Sequence, residues 1–295
     1  MRTTQTYTRQ REESISFACE LFAVNRQVYY RRIKRLKTKQ NIAEQVVAMV
    51  LEQRKLMPRL GTRKLYHNLK ESLVFLHIGR DKFFDILRAN HLLITPKKSY
   101  HVTTMSHHRF RKHPNSIKDV IVTAPEQVWV SDITYIGKRE KPCYLSLVTD
   151  AYSKKIMGFD VSDSLATKGS LNALKMAKRN RNYKERMLTH HSDRGLQYCS
   201  EEYQHQLKKG KLKCSMTQNS DPYENAVAER INGILKQEFM IDKIHLDLKI
   251  MKQMIKEVVY IYNTKRPHLS NNMLTPEQMH KQDKLKIKTY KTKKQ

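Results

Sequence analysis

The 295-residue sequence has no stretch approaching the roughly 20 apolar residues that a membrane-crossing helix needs. Its opening segment, MRTTQTYTRQ, offers no apolar core for a secretion signal, so the expected location is the cytoplasm and no membrane partner is expected. Cysteine is sparse and scattered. Cys19, Cys143, Cys199 and Cys214 form no C-x-x-C pair, which argues against a disulfide framework or a cysteine zinc site and leaves four ordinary thiols. Acidic residues are also few, 28 against 57 Lys+Arg, and the formal net charge is +29 with a pI near 10.0. Solubility needs far less, so the excess points to a polyanionic partner, nucleic acid first. A ribosomal protein would usually be shorter, and a membrane-surface protein would need an amphipathic basic helix or a lipidation signal.

What is present is enough hydrophobic residue, 39%, for at least one sizeable core. Charge is unevenly spread over it. Residues 1–119 hold 25 Lys+Arg against 9 Asp+Glu, residues 120–282 hold 26 against 18, and residues 283–295 hold 6 against 1. A basic first third ahead of a more balanced middle suits a chain that grips DNA in one region and does chemistry in another.

In the first third, apolar positions recur at helical spacing and breaks at Asn25, Pro58, Gly61 and Gly79 predict short helices. Residues 14–36 read as a helix, a turn at Ala23–Asn25 and a second helix opening with Arg26 and Gln27, a helix-turn-helix shape. Residues 62–90 repeat it, TRKLYHNLKE then RDKFFDILRAN, the latter presenting Arg80, Lys82 and Arg88. A plain helical bundle with solvated charges would share the shape; the basic excess on the second helices favours DNA contact by Arg26, Arg80 and Lys82. The expected division is therefore a helical DNA-binding region at 1–92, a basic linker at 93–119, a catalytic core with a C-terminal helix at 120–282 and a basic tail at 283–295. Within the linker, His101, His107, His108 and His113 lack a cysteine or second cluster to complete a tetrahedral metal set.

From residue 128 the period becomes strand-like. VWVSDITYI, CYLSLVTD and KKIMGFDVS predict an antiparallel meander, followed by the helix KGSLNALKMAKRN, the strand MLTHHSD, the helix SEEYQHQLKKG, the strand KCSMTQ and a helix over 222–239. Meander followed by alternating helices and strands describes an α/β mixed sheet.

Three acids stand out by position. Asp132 interrupts the face formed by Val128, Val130, Thr134 and Ile136, where an unpaired charge is costly, although the exposed end of a strand would tolerate it. Asp193 lies where a strand ends and the chain turns at Arg194–Gly195, the place where ligands collect in such sheets. On the last helix Asp221, Pro222 and Glu224 read as N-cap, first residue and capping box. Farther along, Asn225, Glu229, Asn232 and Lys236 share a polar stripe opposite Val227, Ile231, Ile234 and Leu235, a stripe that a solvated face would equally explain.

The words WVSDITYI (129–136), HSDRGLQY (191–198), ENAVAERINGILKQE (224–238) and YNTKRPH (262–268) resemble the DDE transposases of bacterial insertion sequences, in particular the OrfB type of the IS-three family. The resemblance spans nearly the whole chain. It implies a ribonuclease-H-like, integrase-type core with Asp132, Asp193 and Glu229 as a carboxylate triad that binds metal, two Mg²⁺ or Mn²⁺ ions. Lys236 takes the place of the basic residue that contacts the transposon end, with Asn225 and Asn232 beside it on the stripe. It further implies double-stranded DNA partners (ends and target), a homo-oligomer on DNA, and work with an upstream OrfA product in the bacterial cytoplasm at the nucleoid. Such sites stabilise both the attacking and leaving oxygens of an in-line displacement, so Ser131 and Ser192 need not be nucleophiles. Two other readings remain open at this point: a nuclease that uses the same triad for hydrolysis alone, and a DNA-binding repressor with an inert core. Asn263, Arg266 and His268 match the terminal word, but a helix stop before Pro267 would account for them as well.

Overall fold

A computed structural model of the chain describes residues 14–95, 113–117, 120–137, 142–218, 225–243 and 246–287. It divides into two compact units, Met1–Gln53 with Leu69–Leu93, and Arg54–Asn68 with Ile94–Gln295. The first region is helical: α1 (Ile15–Leu21), α2 (Arg26–Leu56), α3 (Thr62–Asn68), α4 (Lys70–Phe75) and α5 (Arg80–Ala89). Ser14 caps α1 by accepting the Phe17 N–H, and Asn25 Oδ1 accepts the Gln27 N–H at the start of α2.

The expected start at Arg26 is thus met, but the short second helix is not. α2 runs 31 residues because nothing between Arg26 and Leu56 is glycine or proline. The single helix expected over TRKLYHNLKE is instead broken at Leu69 into α3 and α4. In the first unit Ala18, Tyr29, Val46, Val50, Leu73, Phe83 and Leu87 are buried, while Arg26, Arg80 and Lys82 are exposed. Residues 54–68, α3 among them, fold with the second unit although their basic character resembles the first. His101, His107 and His108 of the expected linker lie outside the described residues.

The second unit is built on a five-stranded sheet of β1 (Val128–Ile136), β2 (Cys143–Asp150), β3 (Ile156–Ser162), β4 (Thr189–Ser192) and β5 (Lys213–Met216). Its strand order is β3-β2-β1-β4-β5. β1–β2 and β2–β3 pair antiparallel, as the meander predicts, whereas β1–β4 and β4–β5 pair parallel. Parallel neighbours need crossovers, supplied by α6 (Thr167–Arg179), then α7 (Leu196–Cys199) and α8 (Glu201–Lys209). The result is the mixed α/β sheet of a ribonuclease-H-like core. α9 (Ala226–Glu238), α10 (Leu248–Lys265) and α11 (Pro276–His280) complete it. α9 begins at Ala226 with Asn225 at its N-cap, later than the expected start, and Asp221, Pro222 and Glu224 lie outside the described residues.

Alternation along β1 divides the core. Trp129 packs with Val148, Leu171, Leu174 and Tyr203 on the α6/α8 face, and Ile133 rests on the same cluster. Val128 and Val130 pack with Ala151 and Ala228 of α9 on the other face. α6 lies so close to β3 that a Cβ on Gly158 would stand 2.1 Å from the Ala173 carbonyl oxygen, so only glycine fits there. Both edges of the sheet are covered. Asn263 of α10 donates to and accepts from the backbone of Ile156 on β3, both at 3.0 Å. Along β5, the described end of the expected linker takes the Met216 N–H on Pro114 O, and the Ser116 N–H donates to Ser215 Oγ. Among the described residues no helix is long and apolar enough to cross a membrane.

Candidate active site

The parallel register of β1 and β4 aligns Ser131 with Ser192, so Asp132 and Asp193 follow side by side on neighbouring strands. Both belong to the face that α9 covers, the face of Val130. Their neighbours Ser131 and Ser192 turn the other way and are buried. Ser131 Oγ lies 2.8 Å from His190 Nε2, which also meets the Tyr203 hydroxyl at 2.9 Å, and burial holds the His190 imidazole down to about 3. Ser131 is thereby part of the core packing and has no access to a substrate phosphate.

α9 is pinned across β1 by two carboxamides. Asn225 Nδ2 donates to the Ser131 carbonyl at 3.2 Å, and Asn232 Nδ2 donates to Asp132 Oδ2 at 2.7 Å. Glu229 stands between them on the same helical stripe, so it rises over the part of β1 that carries Asp132. Its own side chain is exposed, and Lys236, farther along the stripe, is half-buried. The structure therefore revises the expectation for Asn225 and Asn232. Both are buried and engaged with the sheet, because a stripe that looks outward-facing in sequence lies against a strand that supplies polar partners.

The electrostatics mark Asp132 as the centre. Its Oδ1 accepts the Ile133 N–H, yet burial and then the charge of Asp193 push its carboxyl up to about 7, with Glu229 adding to the repulsion. Partial desolvation also raises Glu229. Burial lowers the Lys236 ammonium, against the pull of Asp242 and Asp132. Asp193 Oδ1 accepts the Gly195 N–H at 3.0 Å, which fixes the turn after β4.

Among the described residues no three His, Cys, Asp or Glu side chains stand close enough together to hold a metal ion as they are. The donor set still suits a hard divalent cation. It is all carboxylate oxygen, two of its members repel one another at close quarters, and the buried Asn225 and Asn232 Oδ1 atoms have no hydrogen-bond partner among the described residues.

The terminal word has a structural part. Arg266, buried, makes two hydrogen bonds to Glu238 at the end of α9, 2.8 and 2.7 Å, and Lys64 of α3 reaches the same carboxylate at 2.6 Å. The Arg59 N–H also bonds the Glu238 carbonyl. His268 is buried against Tyr262, and burial followed by the nearby cations Arg266 and Lys64 holds its imidazole neutral. Segments from before and after the core thus converge on the C-terminus of the helix that carries Glu229. Arg26, Arg80 and Lys82 belong to the helical unit, where Arg80 pairs with Asp81 in solvent.

The family description "Integrase core domain" matches residues 122–222, and a second with the same description matches residues 210–276. Sheet order and matches together define the class, an integrase-type nucleic-acid-processing core. The relatives narrow it. The transposase for insertion sequence element IS904 of Lactococcus lactis is 32% identical over 171 residues, 57% of this chain and 67% of that one. The InsF transposase for insertion sequence IS3A of Escherichia coli (strain K12) is 28% identical over 275 residues, 91% and 94% of the two chains. An uncharacterized 31 kDa protein of insertion element IS600 from Shigella sonnei is 29% identical over 262 residues, 88% and 95%. The chain belongs to the IS3 family of DDE transposases. Among solved structures, the HTLV-2 integrase catalytic core domain in complex with magnesium is 19% identical, covers 53% of this chain and 97% of its own, and has a TM-score of 0.42.

Proposed function

We propose that the chain binds insertion-sequence ends and, at Asp132, Asp193 and Glu229, cuts DNA phosphodiesters and joins the released 3′ hydroxyl to target DNA. One observation carries this: the parallel register sets Asp132 beside Asp193, and two asparagines hold the helix of Glu229 across that point. Bound between the carboxylates, two Mg²⁺ or Mn²⁺ ions would supply the positive charge that a phosphodiester needs to approach three acids, and would stabilise the attacking and leaving oxygens. The protein's own part is orientation. Ile133 N–H and Asn232 Nδ2 each take one Asp132 oxygen and fix the carboxylate plane, leaving further lone pairs outward. Glu229, exposed above the pair, closes the donor set once cation and DNA are present. Lys236 rises from the same stripe about 10 Å along the helix axis, within reach of the next phosphates of a strand held at the carboxylates.

Residues 1–92, with Arg26, Arg80 and Lys82 exposed, supply the end-binding grip in this reading. Joining requires two DNA segments, so the working form is a homo-oligomer on paired ends, in the bacterial cytoplasm, with an upstream OrfA product as a candidate partner.

The test is the set Asp132→Asn, Asp193→Asn and Glu229→Gln in the full-length chain, assayed on end duplexes with Mg²⁺ and with Mn²⁺. Each substitution keeps the size and removes the charge. Cleavage and joining should fall by roughly a thousand-fold or more, several kcal/mol of transition-state stabilisation. Gel-shift affinity for the ends should stay within about two-fold, since in this reading the grip lies in residues 1–92 and not at the carboxylates. Strand transfer near the wild-type rate by any one of the three would remove that residue from the triad.

A further inference from the structure

α9 meets the sheet through the stripe that bears Glu229. Asn225 and Asn232, on that stripe, donate to the Ser131 carbonyl and to Asp132 Oδ2. Glu229 itself is exposed, and among the described residues no hydrogen bond or ion pair holds its side chain. Its carboxylate therefore goes where the helix puts it. Glu238, at the other end of α9, lies about 13.5 Å along the axis from Glu229 and about 180° around it, on the opposite side of the helix. There Arg266 takes both carboxylate oxygens, Nε on Oε2 at 2.8 Å and Nη2 on Oε1 at 2.7 Å, while Lys64 Nζ reaches Oε1 at 2.6 Å.

Helix stability does not ask for this arrangement, because an acid in the last turn opposes the helix dipole. Nor does a buried ion pair add much net stability over apolar side chains of the same volume, since both charges must be desolvated. Arg266 is 1% exposed, and burial followed by the Arg266 charge brings the Lys64 ammonium down to about 8 against the pull of Glu238. What the guanidinium fork does supply is direction, as it accepts a carboxylate in one plane. Its root is tied to the sheet. Arg266 closes α10, whose Asn263 exchanges two hydrogen bonds with Ile156 at the β3 edge and whose Tyr262 hydroxyl donates to the Lys154 carbonyl at 2.8 Å. α9 is thus held on two opposite sides, which blocks rolling about its axis. With the Glu229 carboxylate about 5–6 Å from that axis, a roll of about 20° would carry it about 2 Å. A catalytic group has to stay within about 0.5 Å of its productive place.

We propose that Arg266 and Lys64, acting through Glu238, are positioning residues that keep Glu229 on the β1 side of α9, in register with Asp132 and Asp193. The proposal rests on the reading of Glu229 as the third carboxylate of the triad. Neither cation meets the reacting phosphate; each acts on it through the helix.

The experiment compares full-length wild type with Arg266→Met, Arg266→Lys and the triple variant Glu238→Leu/Arg266→Met/Lys64→Met, each alone and combined with Glu229→Gln. Measured are kcat and KM for cleavage of end duplexes, Mn²⁺ binding to the protein–end complex from the electron paramagnetic resonance of the free ion, and thermal unfolding. In Arg266→Met, kcat and Mn²⁺ affinity should each fall about 10- to 100-fold, as when an outer-shell partner is lost, with KM within about two-fold. Arg266→Lys, which keeps the charge, should recover part of both. The triple variant separates positioning from support: apolar filling should leave its unfolding midpoint at or above that of wild type, while kcat and Mn²⁺ affinity stay low. In the Glu229→Gln background none of these substitutions should lower Mn²⁺ affinity further, because the helix then carries no carboxylate to place. If Arg266→Met fails to fold, the triple variant and Lys64→Met carry the same comparison. Wild-type kcat and Mn²⁺ affinity in the triple variant would reduce the cluster to packing, and additive losses with Glu229→Gln would mean that it acts elsewhere; either result overturns the proposal and leaves the triad standing. Glu229→Gln that cleaves and binds Mn²⁺ like wild type would instead defeat the triad reading, and the positioning role with it.

Discussion

Asp132 and Asp150 stand three rungs apart on one antiparallel ladder, where Asp132 faces Leu147 and Asp150 faces Trp129, and their carboxylates have opposite fates. Burial works against the charge of both. Around Asp150 it is outweighed by His280, then by the Ser153 N–H and hydroxyl, so the carboxyl is held below its ordinary value. Glu126, at the same end of the sheet, is likewise lowered by His280 and by the Asn182 and Tyr183 N–H groups, and pairs with Arg181 at 3.0 Å. Asp132 is given two donors and an acidic neighbour, and is driven up instead. A buried acid whose donors overcompensate is a lock in the fold. One left beside another acid awaits a charge from outside the chain.

The two settings can be separated experimentally. Asp150→Asn leaves His280 facing one fewer carboxylate in a buried network, and should cost about 3–5 kcal/mol of stability by denaturant titration. Asp132→Asn removes a repelled charge and should not lower the unfolding midpoint although it abolishes activity. A comparable loss of stability in both would erase the distinction. A smaller effect is expected inside the site. Asn232→Leu removes one of the two donors that orient Asp132, and should reduce metal-dependent cleavage by about 10- to 100-fold. Full activity in that variant would reduce the 2.7 Å contact to packing.

The smallest expected effect is on pH dependence. For His280, burial opposes the charged form, but the carboxylates of Asp150, 3.8 Å away, and Glu126, 3.3 Å away, win and raise it above 6.5. Its contribution is therefore complete below its unfolded value and is lost as pH rises through the folded one. Glu126 and Asp150 are lowered, so theirs is complete above the ordinary carboxylate values and fades as pH falls through the folded ones. The stability advantage of wild type over His280→Gln should be greatest at about pH 5–6 and smaller at about pH 8.5. An advantage that stayed constant across that range would mean the imidazole is held by packing alone.

Much of the core could be read from local pattern. β1 and β2 coincide with the runs VWVSDITYI and CYLSLVTD, because β-branched residues alternate between the two faces and Gly137 and Pro142 end them. Asp132, Asp193 and Glu229 were visible as acids in places that local structure did not require. What escaped depends on partners far away in the chain. Asn225 and Asn232 read as outward polar residues because their partners on β1 are about a hundred residues earlier, though their spacing on either side of Glu229 is the signal that could have exposed them. Arg266 and Asn263 read as a helix stop for the same reason; their partners, Glu238 and the edge strand, have no local signature. Residues 54–68 fold with the core unit, where Lys64 and the Arg59 N–H both meet Glu238, contacts that composition cannot show.

His280 clasps Glu126 across 154 residues, at the very threshold of β1. A ribosome delivers Glu126 154 residues ahead of His280, so a nascent polypeptide can assemble its sheet while the strand bearing Asp132 still lacks this fastening.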